Sequence, residues 1–218
     1  QSALHLMDRN KALVLFSIFG LALCCDIPQT FTTQFQTTIL SPSLCLAVGQ
    51  GGSISYDASS QSARVDESVF QNGLYKTYTF LYLYSQGIQY VVDRDTGVCT
   101  SSKLTTAFPK LIIPSAATEI ETINIGSQSV SVFAVPDTTQ AGYQSTLSVT
   151  QDYCFLVSQT AYNETTGNLY FQQNFWNFNT NLPQNVFAIP SQCTSEYKIE
   201  IVSDEEKRAP GFNHLHNL

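Results

Sequence analysis

One stretch, VVDRDTGVCT (Val91 to Thr100), holds the residue types that most readily do chemistry. Asp95-Thr96-Gly97 is the tripeptide of aspartic proteases, and Asp93-x-Asp95 opens like a calcium loop. Protease chemistry needs two carboxylates sharing a proton about 3 Å apart, so a chain must supply a second tripeptide or pair with a copy of itself. No second Asp-[Ser/Thr]-Gly occurs, and Arg94 stands where a buried catalytic strand would want an apolar residue. An EF-hand needs glycine at position 6 and glutamate at 12. Counted from Asp93, Gly97 falls at 5 and Leu104 at 12, so that pattern fails too. What remains is a tight turn, with aspartate as side-chain acceptor and glycine free to take positive φ, leading to Cys99.

Other chemistries lack parts. Beyond the N-terminal segment the only histidines are His214 and His216, both in the polar stretch SDEEKRAPGFNHLHNL. The expected core thus has no histidine for general base, charge relay or zinc. His214-x-His216 reads as part of a solvated tail. GQGGS (Gly49 to Ser53) lacks the lysine and following helix of a phosphate loop and reads as a flexible turn. Asn163-Glu164-Thr165 is an N-glycosylation sequon placed in an expected turn.

Compartment limits the chemistry further. Asp8, Arg9 and Lys11 precede Ala12 to Ala22, an 11-residue apolar run of signal-peptide length and too short to span a bilayer. The chain is therefore expected to be secreted, with residues 1–24 as upstream sequence plus signal peptide, 25–200 as one domain, and 201–218 as an acidic polar tail. Losing Asp8, Arg9 and Lys11 from 10 basic and 17 acidic residues leaves 8 against 16, a formal charge of about -8. That balance argues against nucleic acid or an anionic membrane surface as partner. Cys24 falls beside the cleavage region, leaving Cys25, Cys45, Cys99, Cys154 and Cys193. In an oxidising compartment this odd number is met by two bridges and one leftover thiol, and counting does not say which.

The elements that must position these residues read as strands. Period-two and short continuous apolar segments recur between turn clusters, and no run of 12 or more residues keeps a helical period. Residues 53–69 form an expected hairpin, followed by YTFLYLY (Tyr78 to Tyr84) turning through Ser85-Gln86-Gly87 into IQYVV, then VCTSSKL. EIETINI, SVSVFAV, STLSVTQDYCFLVSQTAY (Ser145 to Tyr162) and NLYFQQNFWNF (Asn168 to Phe178) follow. Short connections favour antiparallel pairing. AFPKLIIP and NLPQNVFAIP carry prolines unsuited to a central strand and are expected as ordered loops. A short helix is expected at most, from Thr194 onward. The fold class is mainly β.

Eleven Tyr, 14 Phe and one Trp gather in these strands. YTFLYLY and NLYFQQNFWNF carry large groups on both faces, which serves a two-sided core, a ligand cavity or a dimer contact. Alternation nominates Phe80, Tyr82, Phe133, Phe171, Phe175 and Trp176 as walls of a hydrophobic pocket.

Several stretches together resemble the ependymin-related family: CDIPQTF (Cys25 to Phe31), SYDASSQSARV (Ser55 to Val65), YLYSQGIQYVVDRDTGVCTSSKLT (Tyr82 to Thr105), AFPKLIIP, DYCFLV and VFAIPSQC (Val186 to Cys193). Their order and spacing cover roughly Cys25 to Cys193. The resemblance implies two stacked, curved antiparallel sheets, like bacterial lipoprotein carriers, around an apolar pocket. It implies bridges Cys25 to Cys154 and Cys99 to Cys193. It further implies secretion or lysosomal delivery, glycosylation, homodimers, calcium association and a role in cell contact or matrix. The sequence lacks a further cysteine pair of the vertebrate members and adds Cys45. No calcium motif can be matched, and Asp93, Asp95, Glu119 and Glu121 are the carboxylates available to such an ion. The expected function is non-catalytic binding of a lipid or fatty acid, with calcium-associated adhesion through a dimer or matrix surface as the alternative.

Overall fold

The computed structural model describes residues 25–41, 46–71, 73–136, 143–163 and 169–194. The N-terminal segment 1–24, Cys45, the tail with His214 and His216, and the sequon residues Glu164 and Thr165 lie outside the described residues.

Among the described residues eleven strands follow one another: β1 (Thr30–Ser41), β2 (Leu46–Asp57), β3 (Ser62–Gln71), β4 (Leu74–Leu83), β5 (Ile88–Asp93), β6 (Cys99–Lys103), β7 (Thr118–Ile125), β8 (Gln128–Pro136), β9 (Tyr143–Thr150), β10 (Leu156–Asn163) and β11 (Leu169–Asn179). Two single turns of 3-10 helix, Tyr84–Gln86 and Ser191–Cys193, are the only helical pieces among the described residues. All strands join one antiparallel sheet in the order β6-β5-β4-β3-β2-β1-β11-β10-β9-β8-β7. The described strands thus hydrogen-bond into one continuous, mainly antiparallel β-sheet structure. β1 lies at its centre, paired with β2 on one side and β11 on the other.

Two strand boundaries differ from the sequence expectation. The segment Ser145 to Tyr162 is broken between β9 and β10, because Thr150 turns the chain: its carbonyl accepts from Cys154 N and its Oγ1 accepts from Phe155 N. The glycine stretch Gly49 to Ser53 lies inside β2 instead of forming a turn. Gly52 permits a close strand approach, since a Cβ there would overlap Asp66 O and come within 2.8 Å of Glu67 Cα.

Alternation on β1 defines the two faces of the sheet. Phe31, Thr33, Phe35 and Thr37 are buried, whereas Gln34 and Gln36 are exposed. Register carries the buried phase outward to Ile54 and Tyr56 on β2, Ala63 and Val65 on β3, and Phe80 and Tyr82 on β4. On the other side it reaches Phe171 and Phe175 on β11, then Leu147 on β9 and Phe133 on β8. This is the inner face, and most of these side chains form one apolar core. Fully burying a side chain of this size contributes about 1.5–3 kcal/mol.

The segment of residues 104–117 links β6 to β7, the two edges of the sheet, and packs on the inner face. Leu111 is buried in the core, Phe108 stacks on Tyr56 at 5.0 Å, and Tyr56 Oη donates to Pro109 O at 2.8 Å. Prolines 109 and 114 suit a strap that donates nothing to a ladder, so the expectation of an ordered, apolar loop here matches its packing.

Candidate ligand-binding face

The stretch that opened the question of chemistry is a structural turn. Asp93 Oδ1 accepts from Asp95 N at 2.9 Å and Thr96 N at 3.0 Å, Asp93 O accepts from Gly97 N at 2.8 Å, and Gly97 takes φ 73°. Asp95 reaches back to β4, accepting from Thr77 N at 3.0 Å and Thr77 Oγ1 at 2.6 Å. Those bonds hold its carboxyl below the usual range. The turn delivers Cys99 to a disulfide with Cys193, and Cys25 is bonded to Cys154. One bridge ties the closing loop to the β6 edge; the other ties the chain before β1 to the β9–β10 turn.

Of the four carboxylates considered for calcium, Asp93 and Asp95 lie at the β5–β6 turn, beside one edge of the sheet. Glu119 and Glu121 lie on β7, the opposite edge strand, where every residue is exposed. Among the described residues no three His, Cys, Asp or Glu side chains gather to hold a metal.

The nominated pocket walls separate. Phe80, Tyr82 and Phe175 are in the core, Phe133 is half-buried against it, and Phe171 is buried on the same face. Trp176 is opposite: it pairs with Gln34, is 42 % exposed, and donates its indole N–H to Gln34 Oε1 at 2.7 Å. With Phe175 turned inward, period-two alternation sends Trp176 to the outer face. Burial pushes the Tyr82 hydroxyl up in pKa, aided by nearby Tyr84 and Glu67.

Near the middle of the inner face the apolar phase is interrupted. Pairing aligns Phe133, Leu147, Gln159, Gln173, Thr37, Gln50 and Val69 in one row from β8 to β3. One inward position along, Glu67 sits opposite Gly52 and next to Gln50. Gln173 is 0 % exposed, and Gln50 and Glu67 are 2 % exposed. Thr37 Oγ1, Gln159 Oε1, both amide atoms of Gln50 and Gln173, and both carboxyl oxygens of Glu67 are buried without a hydrogen-bond partner among the described residues. Each such group costs about 1–3 kcal/mol of desolvation. Burial alone raises the Glu67 pKa to about 7, so its carboxyl is neutral in mildly acidic solution. The sequence reading passed over these residues because Gln and Thr at inward positions look like solvent-facing ones; their phase relative to Phe31, Phe35, Phe171 and Phe175 was the available signal.

One end of the inner face is closed by its own side chains. Between Ile27, Phe31, Ile54, Leu111, Phe175 and Phe178 there is a cavity of about 10 Å³, room for one water at most. Phe175 therefore borders a filled region, not an open pocket. A larger concavity of about 580 Å³ lies on the outer face, lined by Ser53, Arg64, Asp66, Thr79, Arg94 and the closing loop at Gln192. Arg64 Nε and Asp66 Oδ2 are paired at 2.8 Å, Arg64 also donates to Val186 O, and Thr79 donates to Asp66. Burial would raise Asp66, but the bonds from Arg64 and Thr79 outweigh it and hold the carboxyl low. Through Arg64 this cluster is hydrogen-bonded to the closing loop.

Comparison with known proteins adds fold and family. The crystal structure of an uncharacterized conserved protein from Thermus thermophilus superposes with TM-score 0.51 at 7 % identity, covering 82 % of this chain and 91 % of that one. The MucA/MucB complex of Pseudomonas aeruginosa gives 0.45 at 12 % identity over 79 % and 60 %, and a LolA superfamily protein from Nitrosomonas europaea gives 0.35 at 11 % over 80 % and 97 %. No curated protein matches the chain. The family model described as Ependymin matches residues 73–193, more than half of the sequence, and the chain belongs to the ependymin family.

Proposed function

We propose that the protein is a secreted, non-catalytic carrier that holds a hydrophobic ligand against the inner face of a curled sheet. The observation that carries this reading is the row of buried, unpartnered polar groups set within apolar walls. A core filled by its own side chains gains nothing from such a row, whereas a binding site needs a few placed polar groups in an apolar lining. Phe133 in the row and Phe171 beyond it remain the proposed walls, with Phe80 toward the packed end of the same face. The curl is supported by the strap of residues 104–117. Ten spacings of about 4.8 Å put the edges of a flat sheet of this size about 48 Å apart. A strap of this length reaches about 50 Å only when fully extended, and this one turns at Pro114 to Ala117. The two disulfides suit an oxidising, extracytoplasmic compartment, and Asn163 at the end of β10 is the proposed glycan site.

Organic extraction of protein purified from its native source, followed by mass spectrometry, should release a lipid, and the extracted protein should take up a fluorophore with a hydrocarbon tail. Failure of both would end the carrier reading. A second reading, interaction through a dimer or matrix surface, has β7 in its favour. Among the described residues this edge strand has a ladder partner on one side only and exposes Ile120, Ile123 and Ile125, the kind of strand that pairs with another chain. Sedimentation with and without chelator tests it: a monomer indifferent to calcium sinks it.

A further inference from the structure

We infer that the inner-face row binds the uncharged, hydroxyl- or amide-bearing head of a single-chain amphiphile, with Gln50, Gln173, Thr37 and Gln159 as its hydrogen-bonding partners. The inference rests on the carrier reading and specifies the ligand's polar end.

Three features select the head group. First, each glutamine amide offers both donors and an acceptor, and each threonine hydroxyl both functions, so the row complements a head that itself donates and accepts, such as a glycerol ester or an acyl amide of an amino alcohol. Second, no basic side chain is buried among these groups. Of the described basic residues, Arg64 sits on the outer face paired with Asp66. Lys76 ends the same pairing row beyond Val69 but is exposed, as are Arg94, Lys103 and Lys110. A phosphate or carboxylate drawn into the row would be buried unpaired, which is costly. Third, Glu67 stands beside Gln50, a donor when neutral and a repulsive charge toward anions when ionised.

The row also fixes the direction of the ligand. The region around Phe31, Tyr56, Phe108 and Leu111 on one side is packed. Phe171 lies one inward position beyond Gln173 on the other side, so the chain is assigned to the Phe171 side.

The test uses three probes with matched chains: 1-monooleoylglycerol, oleoyl lysophosphatidate and octadecene, each displacing a fluorophore with a hydrocarbon tail. The glycerol ester should bind at least tenfold more tightly than the lysophosphatidate. The double variant Gln50→Leu/Gln173→Leu, which swaps unpartnered amides for apolar groups of similar size and so keeps the fold, should weaken the glycerol ester about tenfold or more and leave octadecene within about twofold. Equal binding of the two lipids, or a preference that survives in the variant, overturns the head-group assignment and leaves the carrier reading standing. Absence of binding by every probe, including the fluorophore, overturns the carrier reading and this inference together.

Discussion

Replacing Glu67 with glutamine should flatten the pH dependence of folding across the range where most secreted proteins are handled. Glu67 is 2 % exposed, has no hydrogen-bond partner for either oxygen, and its pKa is raised from 4.5 to about 7 by burial alone. From β4 it is faced by Tyr78, diagonally by Lys76, and further along by Tyr82, whose hydroxyl feels its charge; β2 offers Gly52, Gln50 and Ile54, none ionisable. Below about pH 4.5 the carboxyl is protonated in both the folded and the unfolded chain, and its contribution to stability is fully present. As pH rises the unfolded chain ionises first, while the folded chain keeps its proton until about pH 7. Stability must therefore fall through that window and stay lost above it. A difference of about 2.5 pKa units corresponds to about 3 kcal/mol. The assay is urea denaturation of wild type and Glu67→Gln at pH 5 and pH 8 with the disulfides intact. With a slope of about 1–3 kcal/mol per molar urea, the wild-type midpoint should drop by about 1–3 M more than the variant's. Parallel declines for the two proteins would refute the reasoning, since they would mean that Glu67 titrates alike folded and unfolded.

Removing the Cys99–Cys193 bridge as the double alanine variant should cost about 5 kcal/mol on the chain-entropy relation for a closed loop of this length, read as a fall in the denaturation midpoint that reductant does not deepen for this bridge. Gly52→Ala should cost about 2 kcal/mol or more because its Cβ meets the β3 backbone. Gly51→Ala, whose nearest neighbour would be Phe35 O at 3.6 Å, should stay within about 1 kcal/mol, and equal losses for the two would contradict the close approach. Trp176→Ala should change stability by less than about 1 kcal/mol and leave lipid uptake intact. A marked loss of uptake would put the indole back in the site.

The chain itself determined the class of the fold. Period-two alternation in segments such as SVSVFAV and EIETINI needs only local geometry to be read as strand, and the turn at Asp93 to Gly97 follows from aspartate and glycine chemistry. The bridge partners came from resemblance in the order of motifs, which spacing alone did not supply. β1 and the first half of β2 went unread because their inward phase is carried by Thr33, Thr37, Gln50 and glycines as well as Phe31 and Phe35. The same substitution of polar for apolar residues hid the buried polar row. Whether Gln173 faces water or core depends on which strands flank it, and β1, its neighbour, lies more than 130 positions earlier in the chain. Long-range pairing also decided that Trp176 turns outward while Phe175 turns inward. Alternation reports that neighbouring residues differ in face; only the register of the assembled sheet says which face is covered, and burial is what gives an unpaired amide its meaning.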